Sequence, residues 1–142
     1  MAAKYINVAF MDTLTPNTTY TFNFGESVVD NNEGNPLSFF SYVISTGAAM
    51  DSLRLRGRIS DALSRKPERF VSVMLYPVDS TFTDSVIYKN KPLYYTNTLD
   101  SLIEFTIPNL KAGRYLLAAV KDVSKNYVFD PSIDKVFWQD FF

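Results

Sequence analysis

No histidine and no cysteine occur in the 142 residues of the chain. Without an imidazole there is no Ser-His-Asp or Cys-His nucleophilic site and no histidine metal site. Without a thiol there is no disulfide, no catalytic thiolate and no cysteine-type zinc site. The lack of cysteine is compatible with an oxidising envelope compartment. No apolar run approaches the roughly 18 residues of a membrane helix, and Met1-Ala-Ala-Lys4 is not a secretory leader. Any targeting signal or lipoprotein anchor is therefore expected in sequence upstream. A charge excess is also missing: formal charge is −1, and Lys and Arg number fourteen. A nucleic-acid partner, which calls for a basic surface, is not expected.

What the chain does have is aromatic volume, with twelve Phe and nine Tyr, arranged with the period of two that marks strands. Tyr5 to Phe10 alternates weakly and is read as an entering strand. Tyr20, Phe22 and Phe24 alternate with Thr21 and Asn23 after a turn at Pro16-Asn17, and Phe40, Tyr42 and Ile44 form the next strand. Between them Asp30 to Pro36 is a loop dense in turn formers. After Ala48 to Ser52, a small, polar linker, Leu53, Leu55 and Ile59 point one way and Arg54, Arg56 and Arg58 the other. These arginines, with Arg65 and Lys66, are read as solvated positions. Gly57 falls on the inward face, where a neighbouring large side chain or a bulge takes the space it leaves. Val71, Val73 and Leu75 mark one face of a further strand, which Pro77 ends or marks as an edge. Asp79 to Lys91 is a long loop with a short helical or strand piece, and Leu93 to Asn97 is a strand. Asp100-Ser101 is read as a hairpin turn. The best-defined stretch, Leu102 to Asp122, is two strands joined by a corner at Asn109 to Gly113, the second apolar on both faces as a central strand would be. One more strand is expected around Val136 to Trp138.

Two family resemblances follow from these residues. Leu14-x-Pro16-x-Thr18-x-Tyr20-x-Phe22, Asp30-x-x-x-Gly34-Asn35-x-Leu37 and Phe40-x-Tyr42-x-Ile44-Ser45-Thr46-Gly47 resemble the end of a bacterial Ig-like domain of the surface-layer (SbsA) type. Leu55-x-Gly57-x-Ile59-x-Asp61, Lys66-Pro67, Val71-x-Val73-x-Leu75, Thr98-x-Asp100 and Phe105-x-Ile107-x-Asn109-Leu110-x-x-Gly113-x-Tyr115 resemble a transthyretin-like (carboxypeptidase regulatory-like) domain. The resemblances imply an all-β chain. Residues 1–47 would be the C-terminal strands of an incomplete Ig-like domain, 48–52 a linker, and 53–142 a seven-stranded Greek-key β-sandwich used as a spacer, stabiliser or adhesion module. In the corner, Tyr115 is expected to lay its ring across the core edge with its hydroxyl on backbone.

Candidate chemistry is thin. Asp122, Ser124, Asn126 and Asp130, with the carbonyl of Val128, place oxygens at the alternating positions of a calcium loop. Tyr127 and Ile133 stand where such loops carry Gly and Glu, so a polar loop is the competing reading. Glu26, Glu33, Glu68 and Glu104 are the carboxylates from which a glycoside-hydrolysis pair could be drawn, but nothing fixes two of them on one cleft. Transthyretin-like enzymes acting on 5-hydroxyisourate use histidines, which this chain lacks. Tyr94, Tyr95, Tyr127, Phe129, Phe137, Trp138, Phe141 and Phe142 are the candidates for a sugar-stacking platform, or else core.

These observations give the expectation of a non-catalytic structural or adhesion module of a bacterial cell envelope, at the periplasm or outer surface and without a cofactor. Its expected partners are envelope proteins or upstream domains of the same chain, with self-association through the orphan Ig-like strands. Polysaccharide binding is the alternative.

Overall fold

Two compact units, Met1–Asp51 and Ser52–Phe142, divide the chain. The computed structural model describes residues 5, 7–25, 27–30, 32–37, 40–60, 66, 70–98 and 104–141, the last five without their side chains. Almost all regular structure is antiparallel β-sheet, as the alternation predicts.

In the first unit β1 (Thr19–Asn23) pairs with β2 (Ser41–Ser45), Tyr20 opposite Ile44 and Phe22 opposite Tyr42. Because side chains alternate, this register collects Tyr20, Phe22, Tyr42 and Ile44 on one face and Thr19, Thr21, Ser41, Val43 and Ser45 on the other. Phe24 and Phe40 extend the aromatic face, their rings 5.6 Å apart and joined by Phe24 N–H donating to the Phe40 carbonyl at 3.0 Å. The ribbon entry is held by Thr46, whose hydroxyl donates to the Thr15 carbonyl at 2.7 Å and accepts from Thr18 N–H at 3.0 Å. Asn17, in the left-handed region at φ 50°, makes the turn predicted at Pro16-Asn17. The strand expected at Tyr5 to Phe10 is not formed among the described residues. Phe10 instead meets the ribbon by its ring, edge-on to Phe22 at 5.5 Å, a contact that needs no backbone ladder.

The second unit holds two sheets. One pairs β3 (Leu53–Arg58) with β6 (Glu104–Leu110); the other has the order β5 (Tyr94–Asn97), β4 (Ser72–Pro77), β7 (Tyr115–Lys121), β8 (Lys135–Phe141). Leu55, Ile59, Phe105, Ile107 and Leu110 pack against Val71, Val73, Leu75, Tyr115, Leu117 and Ala119 of the larger sheet. Their facing surfaces form the interior of a β-sandwich.

Gly57 lies opposite Phe105, and the Phe105 ring occupies the space a side chain would take: a Cβ there would stand 2.5 Å from two ring carbons. Farther along β6, alternation alone would turn residue 109 inward after Phe105 and Ile107. Asn109 adopts φ 59° instead, Pro108 and Asn109 of β6 together oppose Arg54 of β3, and the bulge delivers Leu110 to the core. The corner then lifts the chain into the other sheet, where the Tyr115 hydroxyl donates to the Lys111 carbonyl at 2.8 Å, four residues back.

Asp100-Ser101, read as a hairpin turn, lies outside the described residues; of the strands on either side, β5 lies on β4 and β6 on β3. Thr98 fixes the end of β5 to the larger sheet, its buried hydroxyl accepting from Val71 N–H at 3.0 Å. Of the two readings of Pro77 the strand end holds: it closes β4, which has neighbours on both sides and so is not an edge. Finally, β4 is covered on both faces. Met74 and Tyr76 join Leu116, Ala118 and Val120 on the outer face, capped by Ile87 of the short helix α1 (Val86–Lys89) and by Val78, Phe82, Val86, Tyr127 and Phe129. Burial on both faces explains the unbroken apolar runs of β4 and β7.

Candidate functional site

The predicted calcium loop leaves β7 at Asp122 and returns to β8 at Lys135. Two buried carboxylates bracket it. Asp122 accepts from Tyr127 N–H at 2.7 Å, Asn126 N–H at 3.2 Å and the Ser124 hydroxyl at 3.1 Å. Asp134 accepts from Val123 N–H at 2.8 Å and Asp130 N–H at 2.9 Å, closing the loop from its far end. The remaining oxygens turn to their own neighbours: Asn126 Oδ1 accepts from Val128 N–H at 2.8 Å, and Asp130 accepts from the amide and hydroxyl of Ser132 at 2.9 and 2.6 Å. The Ser132 hydroxyl, and next its amide, hold the Asp130 carboxyl below its ordinary range. Lys125 and Tyr127 take left-handed φ of 58° and 60°, which bends the backbone so that its N–H groups face Asp122.

Asp122, Asn126 and Asp130 thus face N–H and O–H donors, and the Ser124 hydroxyl is spent on Asp122, where a cation would require lone pairs turned to itself. Among the described residues no group of three or more His, Cys, Asp or Glu is disposed to hold a metal. Asp134 escaped the sequence reading because the calcium spacing ends attention at Ile133. The signal that could have found it is the Asp130-Pro-Ser-Ile-Asp134 turn, in which Asp134 N–H donates to the Asp130 carbonyl at 2.8 Å.

The aromatic platform divides. Tyr94 and Tyr95 are adjacent on β5 and so point to opposite faces. Tyr94 goes inward, edge-on to Tyr115 at 5.8 Å. Tyr95 goes outward and stacks on Tyr127, ring centroids 4.2 Å apart, with 42% of it still exposed. Asn97 Nδ2 donates to the Tyr127 hydroxyl at 3.2 Å, and its Oδ1 accepts from the Ser72 hydroxyl at 2.8 Å. Burial, and then the neighbouring Tyr127, push the Tyr95 phenol above its ordinary pKa. Phe129 packs on Tyr88 at 5.3 Å, and its N–H donates to the Ile87 carbonyl at 2.8 Å, tying the loop to α1. Phe142 and the side chains of Phe137, Trp138 and Phe141 lie outside the described residues. Tyr88 and Asn97 were not singled out by the sequence reading, since their relation to Phe129 and Tyr127 is set by the sheet register and not by local spacing.

The outer face also carries a recess of about 330 Å³ bordered by Tyr76, Asp79, Thr81, Phe82, Lys91 and Leu93. Asp79 is engaged there by Thr81, whose hydroxyl and amide donate at 2.7 and 2.8 Å and lower its pKa. Glu104 pairs with Arg58 at 3.6 Å on an exposed surface of the second unit, and Glu33 accepts from the Asn35 side chain in the first. Glu26 and Glu68 lie outside the described residues. Among the described residues no helix is long and apolar enough to cross a membrane. Compared with family models, with curated proteins and with solved structures, the chain finds no match.

Proposed function

We propose that this chain is a non-catalytic structural or adhesion module of a bacterial cell envelope. In this reading the first unit corresponds to the final strands of a surface-layer type Ig-like domain and the second to a transthyretin-like Greek-key sandwich. The observation that carries it is where the polar side chains are directed. Asp30, Asp79, Asp122, Asp130 and Asp134 all accept from the backbone of their own loops. Such carboxylates stiffen connections, their acceptor capacity being taken up by their own backbone.

Two experiments test the reading. Fractionation of source cells with an antibody to the chain should recover it in the envelope, and recovery in the cytosol would overturn the placement. Assay of the purified chain against esters, peptides and glycosides should give no turnover, and any turnover removed by a point substitution would overturn the non-catalytic assignment.

A second reading, polysaccharide binding, is favoured by one arrangement: the half-exposed Tyr95 ring backed by Tyr127 beside the Asn97 amide. An apolar ring with an adjacent amide is what a pyranose stacks on and bonds to. Retention on a polysaccharide affinity gel that Tyr95→Ala abolishes would support it. Absence of retention across diverse polysaccharides would dispose of it.

A further inference from the structure

Three surface features of this protein have no use in the reading above, and together they point to one partner. The first is the aromatic face of the ribbon in unit one. A two-stranded antiparallel ribbon is marginally stable alone in water, and its apolar face calls for a covering layer. Yet Tyr42 is 60%, Phe10 48% and Phe40 37% exposed. The second is the outer face of the β3–β6 sheet in unit two, where Arg54, Arg56 and Arg58 all stand exposed along one strand. Among the described residues only Arg58 has an ion-pair partner there, Glu104, while Thr106 lies opposite Arg56. The third is charge. The first unit has one basic residue, Lys4, and five acidic ones, giving −4; the second has thirteen basic and ten acidic, giving +3.

We propose that the aromatic ribbon face of one copy docks on the Arg54, Arg56 and Arg58 strand of a second copy, so that the protein self-associates head to tail. The chemistry is guanidinium on aromatic ring, for which arginine is the better suited of the two basic side chains. The spacing matches: alternate residues on a strand recur at about 6.8 Å, which holds for Tyr42 and Ile44 on β2, with Phe40 just ahead of it, and for the three arginines on β3. Long-range charge selects the partner. Ribbon against ribbon would bring two units of −4 together, whereas ribbon against arginine strand joins −4 to +3. The proposal does not depend on the envelope placement, and its failure would leave that placement standing.

Sedimentation velocity of the full chain over a range of concentrations tests it. The expected result is a mass that rises with concentration and falls back as salt screens the charges. Arg54→Glu with Arg56→Glu removes the acceptor strand, and Tyr42→Lys places a cation in the aromatic face. Each should raise the dissociation constant at least about tenfold, and both changes lie at exposed positions, so unaltered circular dichroism serves as the folding control. The decisive arm mixes the two variants. The charge-reversed copy keeps its ribbon and the Tyr42→Lys copy keeps its arginines, so the mixture should form a one-to-one complex although each variant alone is monomeric. A monomer at every concentration, variants that associate like the unaltered chain, or a mixture that stays monomeric would each overturn the proposal.

Discussion

The ribbon of the first unit and strands β4 and β7 of the second are built from the same kinds of residue and end in opposite environments. In the ribbon the apolar positions line one face and stay half-open, with Tyr42 the most exposed. In β4 and β7, Val73, Met74, Leu75, Tyr76, Leu116, Ala118 and Val120 are at most 1% exposed, because a second sheet covers one face and α1 with the loop from Asp122 covers the other. Alternation fixes which side chains share a face; a core also requires a second layer for that face. Hydrophobic stabilisation scales with area removed from water, so aromatic content alone does not measure stability.

The sharpest way to break this comparison is to truncate one residue on each side of it. Leu116→Ala should lower the stability of the second unit by about 2–5 kcal/mol, since the site is enclosed on both faces and cannot collapse. Tyr42→Ala, measured in dilute solution, should stay within about 0.5 kcal/mol of the unaltered chain. Urea titration followed by near-ultraviolet circular dichroism reads both. Equal losses would mean that the ribbon is as much a core element as β7.

A second test uses the buried phenol of Tyr76. Burial, and then the charge of Asp122, push its pKa from 10.0 up to about 12. Below pH 10 the folded and unfolded chains both hold this proton. As pH rises above 10 the unfolded chain releases it first, so stability falls until the folded phenol also ionises near 12. The contribution lost by pH 12 is about 2 kcal/mol. Tyr76→Phe should remove this component and unfold later than the unaltered chain at high pH. At neutral pH the two should differ little, because the hydroxyl's partner is the weakly accepting Met74 sulfur at 3.5 Å. Parallel pH profiles for the two proteins would show that the outer face is not closed over Tyr76.

A smaller effect is expected at Gly57. Alanine there must displace the Phe105 ring, at about 1–3 kcal/mol. Adding Phe105→Leu should recover part of that loss, a non-additivity expected only of groups in contact. A Gly57→Ala chain that melts with the unaltered one would show that the sheets separate easily, and would bring the second unit closer to the open state of the ribbon.

The same contrast marks what the sequence could disclose. The inward phase of Leu55, Gly57 and Ile59 anticipates a large neighbour over Gly57, and Phe105 supplies it. The Asn109-Leu110-x-x-Gly113-x-Tyr115 spacing anticipates a tyrosine hydroxyl returning to the backbone, and Lys111 receives it. These are short-range consequences of strand period and corner geometry. The outer layer was not legible in the same way. Met74 and Tyr76 lie between the inward residues of β4, and their cover comes from a four-residue helix and an irregular loop with no period to detect. Tyr94 and Tyr95 read as one aromatic pair in the sequence and are separated by the thickness of the strand. The division between β5 and β6 depends on sheet partners distant in sequence, which no local turn signal encodes.

The smallest expected effect concerns the loop from Asp122 to Asp130, where a run of alternating oxygens suits two structures equally well. Carboxylate and amide oxygens are acceptors for backbone N–H groups and ligands for calcium alike, so spacing cannot separate the two uses; the direction of the neighbouring donors can. Tyr127, Asn126 and Val123 aim their N–H groups at Asp122 and Asp134, and a cation standing there would displace those bonds. Excess Ca²⁺ or a chelator should therefore leave the melting temperature of the second unit unchanged, because only a ligand specific for the folded state raises it. A rise with Ca²⁺ that Asp122→Asn removes would establish the metal reading. It would also mean that the cover over Met74 and Tyr76 is fastened by an ion, and not by the loop's own backbone.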